Sequence, residues 1–153
     1  MTTSELETFL RDTAEQHGIP GASVGVYAGG QELFASTGVT SLAGPRPVTE
    51  HTPFDVGSVS KTFTATAVVR LAAAGWIALD APVSRYVPEF DVSPGITVLR
   101  LLNHTAGIDW RLLEDTGDGD GALAAFVKRL AGQPLIAEPG ERASYSQAGY
   151  SVL

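Results

Sequence analysis

The chain has 153 residues and 44% hydrophobic content, enough for one domain of ordinary size. Ten basic against seventeen acidic residues leave a net charge of −7, which disfavours a nucleic-acid partner, and the lack of cysteine excludes disulfides and thiol catalysis. No apolar run approaches bilayer length and the acidic N-terminus lacks the basic and apolar parts of a leader. The expected protein is soluble, without a membrane span, and cytoplasmic as written, or secreted or periplasmic if a leader was removed.

In chain order, Ser4 and Glu7 stand at capping-box spacing. Leu6, Phe9, Leu10 and Ala14 then recur on one helical face, and Gly18 stops that helix. Two strands are predicted over 22–28 and 32–38, joined at Gly29-Gly30 as a hairpin. A proline-rich loop, Gly44-Pro45-Arg46-Pro47, leads to Phe54 and to a helix that runs to about Ala74, with Gly75 as its stop. Phe63, Val68, Val69 and Leu71 are expected core residues of that helix. A helical turn follows over 79–86, Thr97 caps a short helix through Leu102, and 115–121 form an acidic loop. Residues 122–130 read as helix, stopped by Gly132 and Pro134, and 147–153 as the opening turns of another.

The strongest chemical signal is Ser58-Val59-Ser60-Lys61 at the start of the long helix. Residues three apart share a helix face, so the amine can reach the hydroxyl. A hydroxyl is a poor nucleophile until a neighbouring base takes its proton. The unpaired N–H groups and positive dipole end of a helix N-terminus favour the negative charge that then develops. Gly57 leaves room for a close approach of backbone to a ligand. Far downstream stands Ser144-Tyr145-Ser146-Gln147-Ala148-Gly149-Tyr150, where a phenol beside a cation is able to move a proton.

With these boxes in order, the chain resembles the serine β-lactamase and penicillin-binding-protein-like hydrolases, above all the class C β-lactamase, D-alanyl carboxypeptidase and esterase branch. Five runs carry the resemblance: Gly18-Ile-Pro-Gly-Ala-Ser-Val-Gly-Val, Phe54-Asp-Val-Gly-Ser-Val-Ser-Lys-Thr-Phe, Gly75-Trp-Ile-Ala-Leu-Asp-Ala-Pro-Val, Leu101-Leu-Asn-His-Thr-Ala-Gly-Ile and Tyr145-Ser-Gln-Ala-Gly-Tyr. The resemblance implies an α+β, β-lactamase/transpeptidase-like fold, an antiparallel sheet packed by helices with a helical subdomain. It divides the chain into an N-terminal helix and hairpin (1–50) and a nucleophile helix with helical subdomain (51–153). It casts Ser58 as acylated nucleophile, Lys61 as its activating partner and Tyr145 as general base and acid, with Gln147 and Trp110 touching substrate. It implies no cofactor and no metal, and a small ester, peptide or β-lactam as substrate.

Two departures qualify it. The family's tyrosine box ends in asparagine, and Gln147 carries the amide one methylene further out. The family also has a third box, Lys-Thr-Gly or His-x-Gly, on a later strand, and none follows Tyr145. The expectation is an N-terminal portion of one domain, its C-terminal strands missing, completed by a complementary C-terminal segment or a homo-oligomer. The functional expectation is an esterase-like acyl-serine hydrolase; the alternatives are a β-lactamase or D-Ala-D-Ala carboxypeptidase, and a non-catalytic fragment or scaffold.

Other signals read as structural. Gly21-Ala22-Ser23-Val24-Gly25 has the spacing of a nucleophile elbow but opens a strand rather than linking strand to helix. His104 reads as a residue that orients the turn after its helix rather than as a triad member with Ser58. The acidic loop fails the EF-hand pattern, and the three histidines lack metal-ligand spacing.

Overall fold

Thr2, in an extended conformation, caps the first helix, α1 (Thr3–Gln16). Its hydroxyl accepts the Glu5 N–H at 3.3 Å and the Glu5 carboxylate accepts the Thr2 N–H at 2.7 Å. The capping box is therefore Thr2–Glu5, two residues before the expected Ser4–Glu7, because the same spacing occurs in both and only Thr2 sits in the extended cap geometry. The backbone Thr2 bond, then its side chain, holds the Glu5 carboxyl below the usual carboxylate range.

These features belong to a computed structural model that describes residues 1–109, 111 and 113–153. The described residues form two compact units, Met1–Asp55 and Val56–Leu153. In the first, β1 (Gly21–Ala28) and β2 (Gln31–Gly38) pair antiparallel from Gly21↔Gly38 to Ala28↔Gln31. The two-residue turn between them needs positive φ at both positions, which Gly29 and Gly30 supply at 59° and 78°. Helix α1 packs on this hairpin, mainly on β2, with Leu6 and Ala14 of the helix and Ala35 of β2 buried. Phe9, expected on the same face, is 65% exposed. Ser23 pairs with Ser36 within the ladder, as a strand residue and not an elbow.

The second unit opens with a tight 3₁₀ turn, Gly57–Val59, that runs into α2 (Ser60–Ala73). Ala74 caps α2 and Gly75 ends it at φ 79°. The expected burial of α2 is overturned: Val68 is 5% exposed, but Phe63, Val69 and Leu71 are 72%, 49% and 47% exposed. The core of this unit is built elsewhere, from Val83, Phe90, Ile96, Leu101, Ile108, Val127, Leu130 and Val152, and α2 contributes no side chain to it among the described residues. A helix that is apolar on several faces asks for cover on several sides.

Thr97 caps α3 (Val98–Leu102), accepting the Arg100 N–H at 3.3 Å. Helix α4 (Ala122–Ala131) buries Val127 and Leu130 and stops at Gly132. The expected turn over 79–86 condenses to a 3₁₀ turn at Val83–Arg85. The last helix, α5 (Gln147–Tyr150), is one turn rather than a helix to residue 153; Ser146 caps it, accepting the Gly149 N–H at 3.0 Å. Behind α3 the backbone straps onto a later segment: Gly140 N–H donates to Thr105 at 2.7 Å and Ile136 N–H to Gly107 at 2.9 Å. Gly107 is at φ 78° and any side chain there would run into the Ala137 carbonyl, so the approach of these two segments requires glycine.

Leu101, 1% exposed, and Phe63, 72% exposed, separate core from surface. Urea unfolding of Leu101→Ala should show a loss of about 2–5 kcal/mol, whereas Phe63→Ala should stay within about 0.5 kcal/mol of the parent chain.

Candidate active site

The 3₁₀ turn at Gly57–Val59 places Ser58 directly before α2, and the first turn of α2 carries Lys61. Gly57 takes φ 52°, a left-handed conformation that glycine adopts without strain. Lys61 Nζ then lies 3.3 Å from Ser58 Oγ. The i,i+3 relation read from the sequence survives although the serine sits in the tighter turn and not in the α-helix itself.

Tyr145 arrives from the other end of the unit. Its hydroxyl is 2.7 Å from Ser58 Oγ, to which it donates when neutral. Gln147, the first residue of α5, turns its amide oxygen onto Lys61 Nζ in a short hydrogen bond. Four of the five residues singled out in the sequence thus meet, all within Val56–Leu153. Trp110 lies outside the described residues.

The serine oxygen is the hub, since it receives the lysine and the tyrosine at once. The Ser58 bond first, and then the Lys61 cation close by, push the Tyr145 phenol below the ordinary tyrosine range. Both favour phenolate over phenol. A phenolate accepts, so loss of the Tyr145 proton reverses the 2.7 Å bond and leaves Ser58 donating its own proton to the tyrosine. The arrangement is able to draw a proton off Ser58 and return it to another atom, the requirement for a nucleophile paired with a general base. The site is open: Tyr145 is 53% exposed and Ser58 and Gln147 are exposed.

Two neighbours carry no site role in the sequence reading. Tyr150 presents its ring to Lys61, with Nζ 5.7 Å from the ring centre against 4.9 Å for Tyr145, so the cation lies against two π faces. The Tyr150 hydroxyl donates to the Leu102 carbonyl at 2.9 Å, which ties α5 to the end of α3. His104 lies between these tyrosines, its ring centre 4.5 Å from that of Tyr145 and 5.1 Å from that of Tyr150. Repetition of tyrosine five positions after Tyr145 is the available signal for Tyr150, but five residues is not a helical face spacing and the two meet at Lys61 because extended Ser146 leads into the single turn of α5. Asp109 holds Arg111 in a close ion pair at 2.7 Å, and Asp115 bonds its own loop at Gly117, so these carboxylates serve the loop after α3.

The β-lactamase family model matches residues 6–153. Penicillin-binding protein 4 of Amycolatopsis lactamdurans is 36% identical over 90% of this chain and 38% of its own length. Esterase EstB of Burkholderia gladioli is 34% identical over 95% of this chain and 42% of its own. A crystallised class C β-lactamase superposes with a TM-score of 0.77 at 31% identity, over 96% of this chain and 40% of that one. The chain therefore spans about two fifths of the length of the curated relatives it resembles.

The Ser58 bond is the first cause of the lowered Tyr145 pKa. In an ultraviolet titration read as the difference from Tyr145→Phe, both Ser58→Ala and Lys61→Met should move the Tyr145 midpoint upward, toward an ordinary tyrosine.

Proposed function

The chain belongs to the β-lactamase family, and from that premise we propose that it carries the nucleophile portion of an acyl-serine hydrolase that cleaves ester or amide bonds, esterase-like in preference. One observation carries the reading: Tyr145 and Lys61 converge on Ser58 Oγ at 2.7 and 3.3 Å. Tyr145 takes the Ser58 proton as the oxygen attacks the carbonyl carbon. The tetrahedral oxyanion is met by the backbone N–H of Ser58 in the turn before α2 and by the positive end of that helix. Collapse expels the leaving alkoxide or amine, which receives the proton from Tyr145, and Ser58 is left acylated. Water then repeats the sequence with Tyr145 again as base and frees the acid.

Lys61 serves as the cation that keeps Tyr145 ready to ionise, and the Gln147 amide oxygen holds that cation in place. With its oxygen on Lys61, Gln147 keeps its –NH₂ group as a donor for a substrate carbonyl. Its extra methylene, relative to the asparagine of the family box, sets that donor at a different depth and supports an ester over a β-lactam. A relative named as an esterase points the same way. The β-lactamase and D-Ala-D-Ala carboxypeptidase readings use the same three residues and differ only in the acyl group presented.

A second reading has its own observation. Phe63, Val69 and Leu71 of α2 are exposed and apolar, and the sheet of the first unit has two strands. Small two-stranded sheets are marginal alone. A complementary segment that covers α2 and supplies a second oxyanion donor would make this chain a scaffold that acts fully only when completed.

A fluorophosphonate probe, a chromogenic ester and a chromogenic cephalosporin test these readings together. Intact mass and peptide mapping should place the phosphonate on Ser58. Ser58→Ala should lose labelling and at least about a thousandfold of ester turnover. Ester turnover should rise with pH as Tyr145 sheds its proton, with a midpoint below the ordinary tyrosine range. Cephalosporin turnover above ester turnover would replace the esterase reading with the β-lactamase one, and a chain never labelled at Ser58 would leave the scaffold reading.

A further inference from the structure

We propose that His104 is the positioning residue of the Tyr145 phenol: its carbonyl and its ring nitrogen bracket the tyrosine from both sides and its ring supports the phenol from behind. The inference rests on Tyr145 being the group that moves the Ser58 proton.

The local sequence explains how a histidine comes to be there. Helix α3 ends at Leu102 with Asn103 as its cap. His104 N–H donates to Leu101 at 3.3 Å and Thr105 N–H to Arg100 at 2.8 Å, the paired closing bonds of a helix whose next residue turns left-handed. That residue is His104, at φ 63°, the only non-glycine with positive φ among the described residues. Among the described residues, glycine occupies the nine other left-handed positions without strain. Glycine is the usual residue where only a helix end is needed. Strain held at one position points to a task for its side chain.

The task is visible in the bonds. The Ser144 N–H donates to the His104 carbonyl at 2.8 Å, and the Ser146 N–H donates to His104 Nδ1 at 3.1 Å. These two donors flank Tyr145, so the main chain on either side of the phenol is pinned to one residue. The ring fills the space behind it, 4.5 Å from the Tyr145 ring and 5.1 Å from that of Tyr150. Tyr145 has no such support of its own, being 53% exposed and in no helix. Without the bracket, the 2.7 Å approach to Ser58 would depend on the more distant ties at Gly140 and Tyr150.

The bracket works only with neutral imidazole. Nδ1 must accept, which places the ring proton on Nε2. Lys61 from α2, Tyr145 from the preceding loop and Tyr150 from α5 are the charged or titratable groups that face the ring. Burial, then the Lys61 charge, pushes the His104 ring below the ordinary histidine range. A proton on Nδ1 would set two donors against each other at Ser146 and a second cation beside Lys61. The bracket is therefore whole above the ordinary histidine range and opens as pH falls through the depressed midpoint of His104.

The test uses the full chain labelled with nitrogen-15 and three variants. In the parent chain the Ser146 amide resonance should titrate together with the His104 ring, at a midpoint below ordinary histidine. His104→Asn tolerates positive φ and offers a neutral oxygen near the place of Nδ1; its Ser146 amide should ignore pH over that range. His104→Gly keeps the turn and the carbonyl that takes the Ser144 N–H, and removes the ring half of the bracket. Its Tyr145 midpoint, read as the difference from Tyr145→Phe, should rise toward ordinary tyrosine, its phosphonate labelling of Ser58 should slow by about tenfold or more, and the asparagine variant should restore most of that rate. A parent Ser146 amide that does not follow His104, or a His104→Gly chain with unchanged Tyr145 ionisation and labelling, overturns the inference. A parent chain never labelled at Ser58 overturns the hydrolase reading instead, because the amide and phenol titrations report the bracket without catalysis.

Discussion

The site depends on one constraint: two side chains 87 residues apart must hold their oxygens 2.7 Å from each other. Neither end can do this alone. Ser58 is fixed by a local device, a tight turn running into α2, whereas Tyr145 lies on a short segment between a loop and the single turn of α5. What holds that segment is the end of α3. Residues 102–107 take bonds from 136, 140, 144, 146 and 150 in succession, through the Gly107, Thr105, His104 and Leu102 carbonyls and the His104 ring. Gly107 lets the two strands of chain approach, and Leu101 and Ala148 fill the space beneath them. The core of this unit is thus the foundation of the phenol.

Electrostatics then concentrates on one cation. Lys61 touches the nucleophile oxygen, the Gln147 amide oxygen and the faces of two tyrosines. Each of these contacts is with an electron-rich group, so the ammonium is well solvated by protein. Its charge acts outward in opposite senses: it favours ionised Tyr145 and disfavours protonated His104. The same cation therefore keeps one neighbour acidic and the other neutral, and both effects suit a tyrosine that must lose a proton while its support stays unchanged. Tyr150 differs from Tyr145 for the converse reason: burial raises its pKa and so disfavours its phenolate, and its hydroxyl is committed to Leu102.

Helix α2 shows where local pattern and packing part company. Its apolar residues were read as core because apolar side chains usually find cover, yet most of them face solvent. The helix forms and presents Lys61 correctly all the same, since its geometry depends on backbone bonds and on Gly75 as a stop, not on which face is covered. The first helix teaches a smaller lesson of the same kind. Two capping boxes at equal spacing compete at its start, and the backbone conformation at Thr2 selects one.

Much of this protein was legible without coordinates. The Gly29-Gly30 hairpin, the Thr97 cap, the glycine stops and the Ser58–Lys61 pair are all local, decided by spacing of a few residues and by the φ angles that glycine alone takes freely. The partnership of Ser58 with Tyr145 was reached through the order of several sequence boxes, since spacing says nothing about residues so far apart. Only the tertiary structure decided that Gln147 meets Lys61, that Tyr150 closes over the cation and that His104 brackets the phenol. Those contacts join α2, the end of α3 and α5, and their geometry is set by how buried side chains pack and where unpaired backbone donors land. Local sequence determines which turns and helices are available; the shared core determines which of their ends meet.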